Sequence, residues 1–251
     1  MENLWKREYD VLTSLCDAEG RLGIRNIFDI FMDMAADHAQ HLGVGYHAML
    51  ERRCYWVAVR TRVRLYERPS LGQRVTAYTW PGKPGLAKCD RFYRLCLGDQ
   101  VLAEGRTEWA SQDIDTGAVR RTDSFGYPRQ LAHREEKVCA EPFTRFRGFE
   151  SGPEEPVRHY TVGSMDIDVG RHMNNVAYIR MLLDGFSTEE LTAMEVTEVE
   201  ISYRKACFEG ETLTICRRHT GEGWLFQVQR PEGEVAVQAL LRLRQPDSGG
   251  I

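Results

Sequence analysis

The stretch MDIDVGRHMNNVAYI, from Met165 to Ile179, gathers polar side chains just before a run with helical spacing. Asp168 and His172 lie four residues apart within it. A carboxylate beside an imidazole can orient or activate a water molecule, and the carboxylate can also attack an electrophilic carbon directly. The pair therefore predicts a reaction centre in a loop that leads into a helix.

Asn174 and Asn175 extend this chemistry to the helix itself. Either residue is a good N-cap, and the first amides of a helix carry unpaired N–H donors and a partial positive charge. Such donors can bind a phosphate or polarise a carbonyl oxygen, and Gly170 permits a tight turn between the acid and the imidazole. The same residue types also occur in turns that only cap helices, so a purely structural turn stays open from this segment alone.

Other groups give weaker chemical signals. Cys207 ends a predicted strand and is either a nucleophile or a half-buried free cysteine. His38 falls on an apolar helix face, which indicates a core histidine. Asp166, Asp168 and His172 could bind a hard cation, but no second cluster completes a site, so neither a metal nor another cofactor is expected. The sequence also lacks the GxSxG motif of serine hydrolases and the GxxxxGK[ST] motif of phosphate-binding loops.

These residues must be held by helices and strands, whose positions the apolar spacing predicts. Residues 24–42 repeat apolar side chains at three- and four-residue steps, which is typical of one helix face, and Gly43 and Gly45 end that helix. A second helix is predicted over 175–186. Alternation and turn residues predict eight strands, at 56–67, 73–80, 90–97, 101–113, 196–206, 211–219, 223–230 and 234–243.

The strand at 56–67 alternates apolar and basic positions. Every second residue from Val57 to Leu65 is expected to face the core. The arginine-rich positions between them, Arg60, Arg62 and Arg64, are expected to be solvated.

The order of one helix followed by four strands occurs twice. Asp17 aligns with Asp166 at an offset of 149 residues (166 − 17), and Gly72 aligns with Gly210 at an offset of 138 (210 − 72). Two such copies imply two α+β units, each a helix laid on an antiparallel sheet. Only the second copy carries the cluster of acid, imidazole and amides, which indicates one working site and one structural copy.

A region rich in Arg, Glu, Pro and Gly separates the two copies. We expect residues 1–128 to form the first unit and residues 158–251 to form the second unit with the catalytic motif. Residues 129–157 are expected to be a connector on the surface rather than part of a core.

Composition limits the classes of function. The chain has 251 residues, of which 42% are hydrophobic, and a formal net charge of −4, which argues against a general nucleic-acid binder. The first residues have no signal-peptide core, and no window holds the ~18 apolar residues of a membrane span. Seven scattered cysteines without metal-binding spacing indicate free thiols in a reducing cytoplasm.

Four longer segments carry a wider resemblance. DIDVGRHMNNVAYI and ISYRKACFEGETL lie in the second half, and GRLGIRNIFDIFMDMAADHAQHLGVG and ERRCYWVAVRTRVRLYERPSLGQRVTAYTW lie in the first. Together they resemble the acyl-acyl-carrier-protein (acyl-ACP) thioesterases of fatty-acid synthesis, whose signatures are D-x-D-x-N-x-H-x-N-N-x-x-Y-[IV] and Y-R-[RK]-E-C. The resemblance covers about residues 5–245, with the elements in the same order.

The resemblance implies the α+β fold of that family. It consists of two tandem hotdog units, each a central helix wrapped by an antiparallel β-sheet, with the sheets joined side by side. The family's catalytic acid maps to Asp168 and its catalytic histidine to His172. The Asn between them in the family is Gly170 here, and the Glu of the Y-R-x-E-C strand is Ala206.

The resemblance further implies hydrolysis of acyl-ACP to a free fatty acid and the holo carrier. Amides at the start of the second helix would polarise the thioester carbonyl, Asp168 would act as base or nucleophile, and His172 would orient the water or protonate the leaving thiolate. The candidate catalytic residues are Asp168, His172, Asn174, Asn175 and Cys207. The acyl chain is expected in an apolar slot between helix and sheet, with Ile24, Ile27, Phe28, Phe31, Trp56 and Val57 as candidate lining residues.

The resemblance implies an acyl carrier protein as the partner, with the thioester on its 4′-phosphopantetheine arm. Neither nucleic acid nor a membrane span is expected. The expected oligomeric state is a monomer or a homodimer. Because such carriers are acidic, a basic patch is expected, with candidates Arg120, Arg121, Arg145, Arg147, Lys205, Arg217 and Arg218. An acyl-CoA thioesterase, a hydratase or dehydratase, and a non-hydrolytic acyl-thioester-binding module are the alternatives. The last is suggested because Gly170 and Ala206 replace the family's Asn and Glu.

Overall fold

The structure is a computed structural model, and it describes three ranges of the chain, 3–128, 134–146 and 156–244. The chain divides into two compact units, Met1–Glu141 and Pro142–Ile251, here called unit 1 and unit 2. The division lies within the predicted connector 129–157. Residues 129–133 and 147–155 of that connector lie outside the described residues.

Unit 1 is an antiparallel sheet that carries one long helix. Its elements are β1 (Trp5–Asp10), α1 (Ile24–His41), α2 (Tyr46–Glu51), β2 (Cys54–Leu65), β3 (Arg74–Pro81), β4 (Lys88–Leu97), β5 (Gln100–Asp113) and β6 (Val119–Arg120). Its strands follow the order β1-β3-β4-β5-β2, and β6 pairs with β5. The predicted helix and the four predicted strands of this half are confirmed, whereas β1, α2 and β6 are additional elements.

The core of unit 1 lies between α1 and the sheet. The buried residues of α1 are Ile24, Ile27, Phe28, Ile30, Phe31, Met34, Ala35 and His38. Phe31 stacks on Tyr93 of β4 with ring centroids 4.9 Å apart, and it sits directly over Gly105 of β5, where a β-carbon would come within 3.0 Å of its ring. Each large apolar side chain buried in this way contributes about 1.5–3 kcal/mol. Gly43, with φ of 71°, ends the helix as expected.

A bulge in β2 changes which of its residues face the core. The register against β5 shifts between Ala58 and Arg60, so Ala58 before the bulge and Thr61 after it face the same side. The predicted single alternating face is therefore wrong at Val57, which points to the opposite side of the sheet and is only half-buried.

The outer face of the sheet in unit 1 is covered by residues 134–141. Val138 packs on Trp80 and Phe92, and the Trp80 indole donates a hydrogen bond to the Glu136 carbonyl at 2.8 Å. Arg62 is 3% exposed and donates to the Glu141 carbonyl at 3.1 Å. The expectations of a surface connector here and of a solvated Arg62 are wrong, because this segment supplies carbonyl groups and an apolar side chain to the outer face.

Unit 2 repeats the arrangement with a shorter helix. Its elements are β7 (Pro156–Thr161), α3 (Asn175–Leu183), α4 (Thr188–Ala193), β8 (Val196–Tyr203), β9 (Thr212–Thr220), β10 (Gly223–Gln229) and β11 (Val235–Leu243). Its strands follow the order β8-β11-β10-β9-β7. The helix predicted over 175–186 ends at Leu183, because the chain turns there, and Phe186 packs on Trp224 and Phe226 of β10 instead.

The loops before α1 and α3 are equivalent turns. A short 3-10 turn, Thr13–Leu15 or Ser164–Asp166, opens each loop, and an isolated bridge closes it, from Cys16 to Leu22 or from Ile167 to Met173. These pairs place Asp17 opposite Asp168, an offset of 151 (168 − 17). The predicted offset of 149 is therefore wrong by two residues, because it aligned Asp17 with the neighbouring acid.

The second predicted offset, 138, is confirmed. Gly72 and Gly210 have φ of 83° and 85°. Each donates its N–H to a carbonyl just before the equivalent turns, Gly72 to Val11 and Gly210 to Val162, both at 2.9 Å.

Candidate active site

The loop from residue 163 to α3 is pinned by its own backbone. Asp168 N–H donates to the His172 carbonyl at 3.1 Å, and Asn174 N–H donates to the Asp166 carbonyl at 2.7 Å. Met173 N–H reaches across to the Cys207 carbonyl after β8, at 2.8 Å. These three bonds fix the acid and the imidazole at the base of α3.

Asp168 and His172 face each other across this turn. His172 Nδ1 lies 3.9 Å from Asp168 Oδ1, and the two side chains are 20% and 24% exposed. Gly170 N–H holds the Asp168 carboxylate with a hydrogen bond of 2.7 Å. The pair is thus adjacent, oriented and reachable by solvent, which is what activation of a water molecule requires.

Gly170 is needed for this approach. A β-carbon there would lie 2.9 Å from His172 Nε2 and 3.0 Å from Asp168 Oδ1. Any side chain at this position would therefore push the imidazole or the carboxylate away.

The start of α3 presents an amide beside the pair. Asn174 is the N-cap, and its Oδ1 accepts the Val176 N–H at 2.7 Å. Ala177 N–H bonds to the Asn174 carbonyl at 3.0 Å. Within the described part of the chain, the Asn175 N–H has no hydrogen-bond partner, so it can donate to a ligand oxygen. The Asn175 carbonyl accepts the Tyr203 hydroxyl at 3.1 Å, which ties this first residue of α3 to β8.

Asp166 has a structural position. It is 3% exposed, accepts the Tyr160 hydroxyl at 2.7 Å and the Gly163 N–H at 2.9 Å, and pairs with Arg180 of α3. These three interactions of the carboxylate hold the turn against α3.

Cys207 is fully buried. Burial raises the pKa of its thiol, an effect that a hydrogen bond from Tyr178 only partly opposes. A nucleophilic cysteine requires a thiolate, so these features favour a structural role, in which the Cys207 backbone carbonyl anchors the loop.

The equivalent turn of unit 1 is chemically different. Asp17 Oδ1 accepts the N–H groups of Glu19 and Arg21, both at 3.0 Å, and its other oxygen is held by the Arg68 guanidinium. Arg21 takes the position of His172. At the position of Arg68, unit 2 has Ala206, whose methyl group cannot pair with an acid. The acid of unit 1 is thus occupied by a guanidinium, whereas that of unit 2 faces an imidazole.

Not all of the predicted acyl-slot residues lie in the interior of unit 1. Ile24, Ile27, Phe28 and Phe31 are buried on α1. Trp56 is half-buried, and its indole donates to the Val44 carbonyl at 2.9 Å. Val57 is not brought to this interior, because the bulge in β2 turns it to the other face.

The basic candidates differ in their surroundings. Those that pair with acidic side chains are Arg120, Arg121, Lys205 and Arg217. Arg145 and Arg218 are exposed, and Arg147 lies outside the described residues. Arg171, which the spacing does not single out, is exposed in the turn before α3 with φ of 63°, where unit 1 has Gly20 with φ of 70°. Only its left-handed backbone distinguishes this position, and that conformation is hidden from sequence when the residue is not glycine.

Comparisons with known proteins identify the family whose two domains this chain matches. The family model for the acyl-ACP thioesterase N-terminal domain matches residues 2–123, and that for the C-terminal domain matches residues 150–245. The chloroplastic oleoyl-acyl carrier protein thioesterase 2 of Arabidopsis thaliana is 25% identical over 199 residues, which are 73% of this chain and 54% of that protein. The chloroplastic palmitoyl-acyl carrier protein thioesterase of the same plant is 23% identical over 255 residues, 96% of this chain and 61% of that protein. The chain thus spans little more than half the length of these relatives.

Solved structures share the fold. An acyl-ACP thioesterase from Bacteroides thetaiotaomicron matches with a TM-score of 0.80 and 20% identity over 96% of this chain and 98% of that one. A 12:0-ACP thioesterase from Umbellularia californica matches with a TM-score of 0.82 and 16% identity over 97% and 98%. The predicted α+β hotdog class is confirmed. In the described ranges, none of the helices is both long and apolar enough to cross a bilayer.

Proposed function

Because the chain belongs to the acyl-ACP thioesterase family, we propose that it is a thiolester hydrolase that cleaves acyl-ACP. Water adds to the thioester carbonyl, the C–S bond breaks, and a free fatty acid and the carrier thiol are released. The observation that carries this proposal is the Asp168–His172 contact of 3.9 Å in the turn that leads into the first residue of α3, Asn175.

Each group has a role that follows from its position. Asn175 N–H, at the positive end of α3, donates to the carbonyl oxygen as negative charge develops on it. Asp168, held by the Gly170 amide, acts as general base toward water or as nucleophile. His172 orients the water or gives a proton to the leaving thiolate.

The acyl chain is assigned to the interior of unit 1, between α1 and its sheet. The helix–sheet interior of unit 2 holds a hollow of ≈ 10 Å³ lined by apolar residues such as Ile179, Val199 and Phe226. That hollow has room for about one water molecule. The buried aromatic and aliphatic face of α1 supports the assignment to unit 1.

The partner and the setting are part of the proposal. The partner is an acyl carrier protein with a 4′-phosphopantetheine thioester, the oligomeric state is monomer or homodimer, and the location is the cytoplasm. None of the seven cysteines, all of which lie in the described ranges, forms a disulfide bond, which supports a reducing compartment.

One observation favours a second candidate, a module that binds acyl thioesters without hydrolysing them. Gly170 and Ala206 leave the Asp168–His172 pair without the Asn and Glu of the family signature. Binding of an acyl thioester without thiol release would support this candidate.

The test is release of free thiol from acyl-ACP and from acyl-CoA of equal chain length by the purified full-length chain. We expect turnover with both and a higher kcat/KM with acyl-ACP. A higher kcat/KM with acyl-CoA would make the protein an acyl-CoA thioesterase. Tight binding without thiol release would contradict hydrolysis altogether.

A further inference from the structure

Three apolar side chains are exposed in the two loops that hold the Asp168–His172 pair. Met165 is 91% exposed and Val169 is 71% exposed in the loop before α3, and Val169 directly follows Asp168. Phe208 is 47% exposed in the loop between β8 and β9. Single exposed apolar residues are ordinary on a protein surface, but several in one place mark a surface that binds a partner.

The two loops are joined by backbone hydrogen bonds. Met173 N–H donates to the Cys207 carbonyl at 2.8 Å, and Gly210 N–H donates to the Val162 carbonyl at 2.9 Å. These bonds lie on either side of Phe208 and fasten its loop to both ends of the loop before α3. The three exposed side chains therefore lie at the end of unit 2 that carries the proposed reaction centre, and they are here called the apolar rim.

The equivalent loops of unit 1 have small residues at these three positions. The offsets of 151 and 138 pair the apolar rim, in chain order, with Ser14, Ala18 and Ser70. Unit 1 exposes two apolar residues in the same loops, Leu12 by 59% and Leu71 by 51%, at other positions. The apolar rim therefore belongs to the unit with the acid–imidazole pair, and the two leucines offer a matched control.

Two cations in the loops of the apolar rim have no acidic partner among the described residues. Arg171 is exposed, and Arg204 is exposed and donates only to a backbone carbonyl at 3.4 Å. Lys205, next to Arg204, is paired with Glu234 at 3.3 Å. A partner that fits this surface has an apolar patch with carboxylates beside it. Glu209 is an exposed acid in the same loops, and its charge opposes such a partner.

We propose that the apolar rim, together with Arg171 and Arg204, is the surface on which the acyl carrier protein docks. The inference rests on the proposed function, in which the carrier delivers its thioester to Asp168. Acyl carrier proteins are acidic, so their carboxylates match the two arginines, and the apolar contact supplies the desolvated centre of the interface. A lipid surface is disfavoured, because recognition of anionic lipids uses clusters of about four to eight basic residues.

Binding of the carrier without an acyl chain tests this surface independently of hydrolysis. The probe is the organism's own holo-acyl carrier protein, titrated into the full-length chain in a calorimeter. The rim variant Met165→Ser/Val169→Ala/Phe208→Ser installs the residues of unit 1 and should weaken binding at least about tenfold. Its melting temperature should hardly change, because the three side chains are exposed. Unchanged affinity in the folded variant would overturn the inference.

A second rim variant guards against misfolding of the first. The Phe208 ring lies 5.9 Å from the Arg230 guanidinium, so its loss could disturb the loop. Met165→Ser/Val169→Ala leaves that contact in place and should still weaken binding about threefold or more. Wild-type affinity in this double variant would count against the rim.

Two controls address position and charge. Leu12→Ser/Leu71→Ser removes exposed apolar residues from the equivalent loops of unit 1 and should bind the carrier like the wild type. An equal loss in this control and in the rim variant would contradict docking on unit 2. Glu209→Gln should tighten binding about two- to threefold, because one like charge is removed. Weaker binding in that variant would contradict an acidic partner.

Two further assays separate the carrier from other occupants. The ratio of kcat/KM with acyl-ACP to that with acyl-CoA should fall about tenfold in the rim variant, since acyl-CoA has the same arm without the carrier protein. An equal loss on both substrates would place the rim against the arm and overturn the inference. Binding to phosphatidylglycerol vesicles that is lost in the rim variant, with carrier affinity unchanged, would make the rim a lipid-binding surface and also overturn it.

The binding and turnover results distinguish failure of this inference from failure of the proposed function. Rim-dependent carrier binding by a protein that releases no thiol would contradict hydrolysis and leave the docking surface standing. Thiol release from acyl-ACP, with carrier affinity unchanged in the rim variant, would overturn the docking surface and leave the proposed function standing.

Discussion

At the residue scale, the distance between two side chains sets the chemistry of the site. Asp168 and His172 approach to 3.9 Å across a glycine that has no room for a β-carbon. The family signature has Asn where this chain has Gly170. The chain therefore lacks that polar side chain, and the acid and the imidazole lie close together. A substitution that affects only this approach therefore isolates its contribution.

Gly170→Ala is expected to lower kcat by about tenfold or more, which is about 1.4 kcal/mol of transition-state stabilisation. The added β-carbon would meet His172 Nε2 at 2.9 Å and Asp168 Oδ1 at 3.0 Å. Because both atoms end side chains that can rotate away, the melting temperature should hardly change. Steady-state kinetics with thermal unfolding checks this. Glu19→Ala, at the matching position of unit 1, should leave kcat as it is. Wild-type kcat in Gly170→Ala would show that the close approach is not needed.

Cys207→Ala is expected to keep kcat within about threefold of the wild type, because the buried thiol has a raised pKa and is not available as a thiolate. The smaller side chain should cost about 1 kcal/mol of unfolding free energy. Thioester cleavage and urea unfolding measure the two quantities. A folded variant without turnover would restore Cys207 as a catalytic residue.

At the element scale, the turn before α3 is held against its helix by an ion pair between the buried Asp166 and the partly exposed Arg180. Asp166, Tyr160 and Arg180 connect the end of β7, the 3-10 turn and the middle of α3. Unit 1 has Leu15 and Asp29 at the positions of Asp166 and Arg180, so this network belongs to the unit with the acid–imidazole pair.

Asp166→Asn is expected to lower the unfolding free energy by about 2 kcal/mol, because a buried carboxylate with three partners is lost and Arg180 keeps its charge. Urea denaturation measures this. The control is Glu234→Gln, which removes an exposed acid paired with Lys205 and Arg230 and should cost no more than about 0.5 kcal/mol. Equal effects of the two changes would show that the network does not dock the turn.

The elements differ in how well the sequence predicts them. α1 is predictable because eight of its residues are buried along one face. β1 is not, because most of its side chains are exposed and only its backbone pairing with β3 defines it. The bulge at residue 59 is set by pairing with β5, which local alternation does not contain.

The sequence likewise predicts only part of the candidate site. The Asp168–His172 spacing within one loop was sufficient to propose the pair. The Arg68 partner of Asp17 lies 51 residues away in the chain, and Arg91 meets His38 across 53 residues. Such contacts depend on strand register and helix placement, so only the three-dimensional structure shows them.

At the scale of the whole molecule, the proposed binding of a carrier protein depends on charge. The chain has a net charge of −4, so attraction of an acidic carrier requires local positive charge near the reaction centre. Arg171 meets that requirement, since it lies between the acid and the imidazole in sequence and is exposed. It also keeps a left-handed backbone that costs a non-glycine residue about 1 kcal/mol.

Arg171→Gly, which copies Gly20 of unit 1, is expected to raise KM for acyl-ACP about fivefold, roughly 1 kcal/mol, with kcat unchanged. The wild-type KM should rise with ionic strength, and the variant's KM should rise less steeply. Kinetics at several salt concentrations measure both trends. Lys6→Ala, at an exposed residue of β1 that is not a candidate for the basic patch, is the control and should match the wild type. An unchanged KM in Arg171→Gly would place the docking charge elsewhere.

The most direct measurement compares the two equivalent acids. Asp168 and Asp17 occupy the same position of the same turn, but only Asp168 faces an imidazole, while Asp17 is held by Arg68. With acyl-ACP as substrate, Asp168→Asn should lose about 10²-fold or more in kcat, and Asp17→Asn should retain it in the folded protein. Full turnover by Asp168→Asn, or an equal loss in both variants, would contradict the assignment of the reaction to the turn of unit 2.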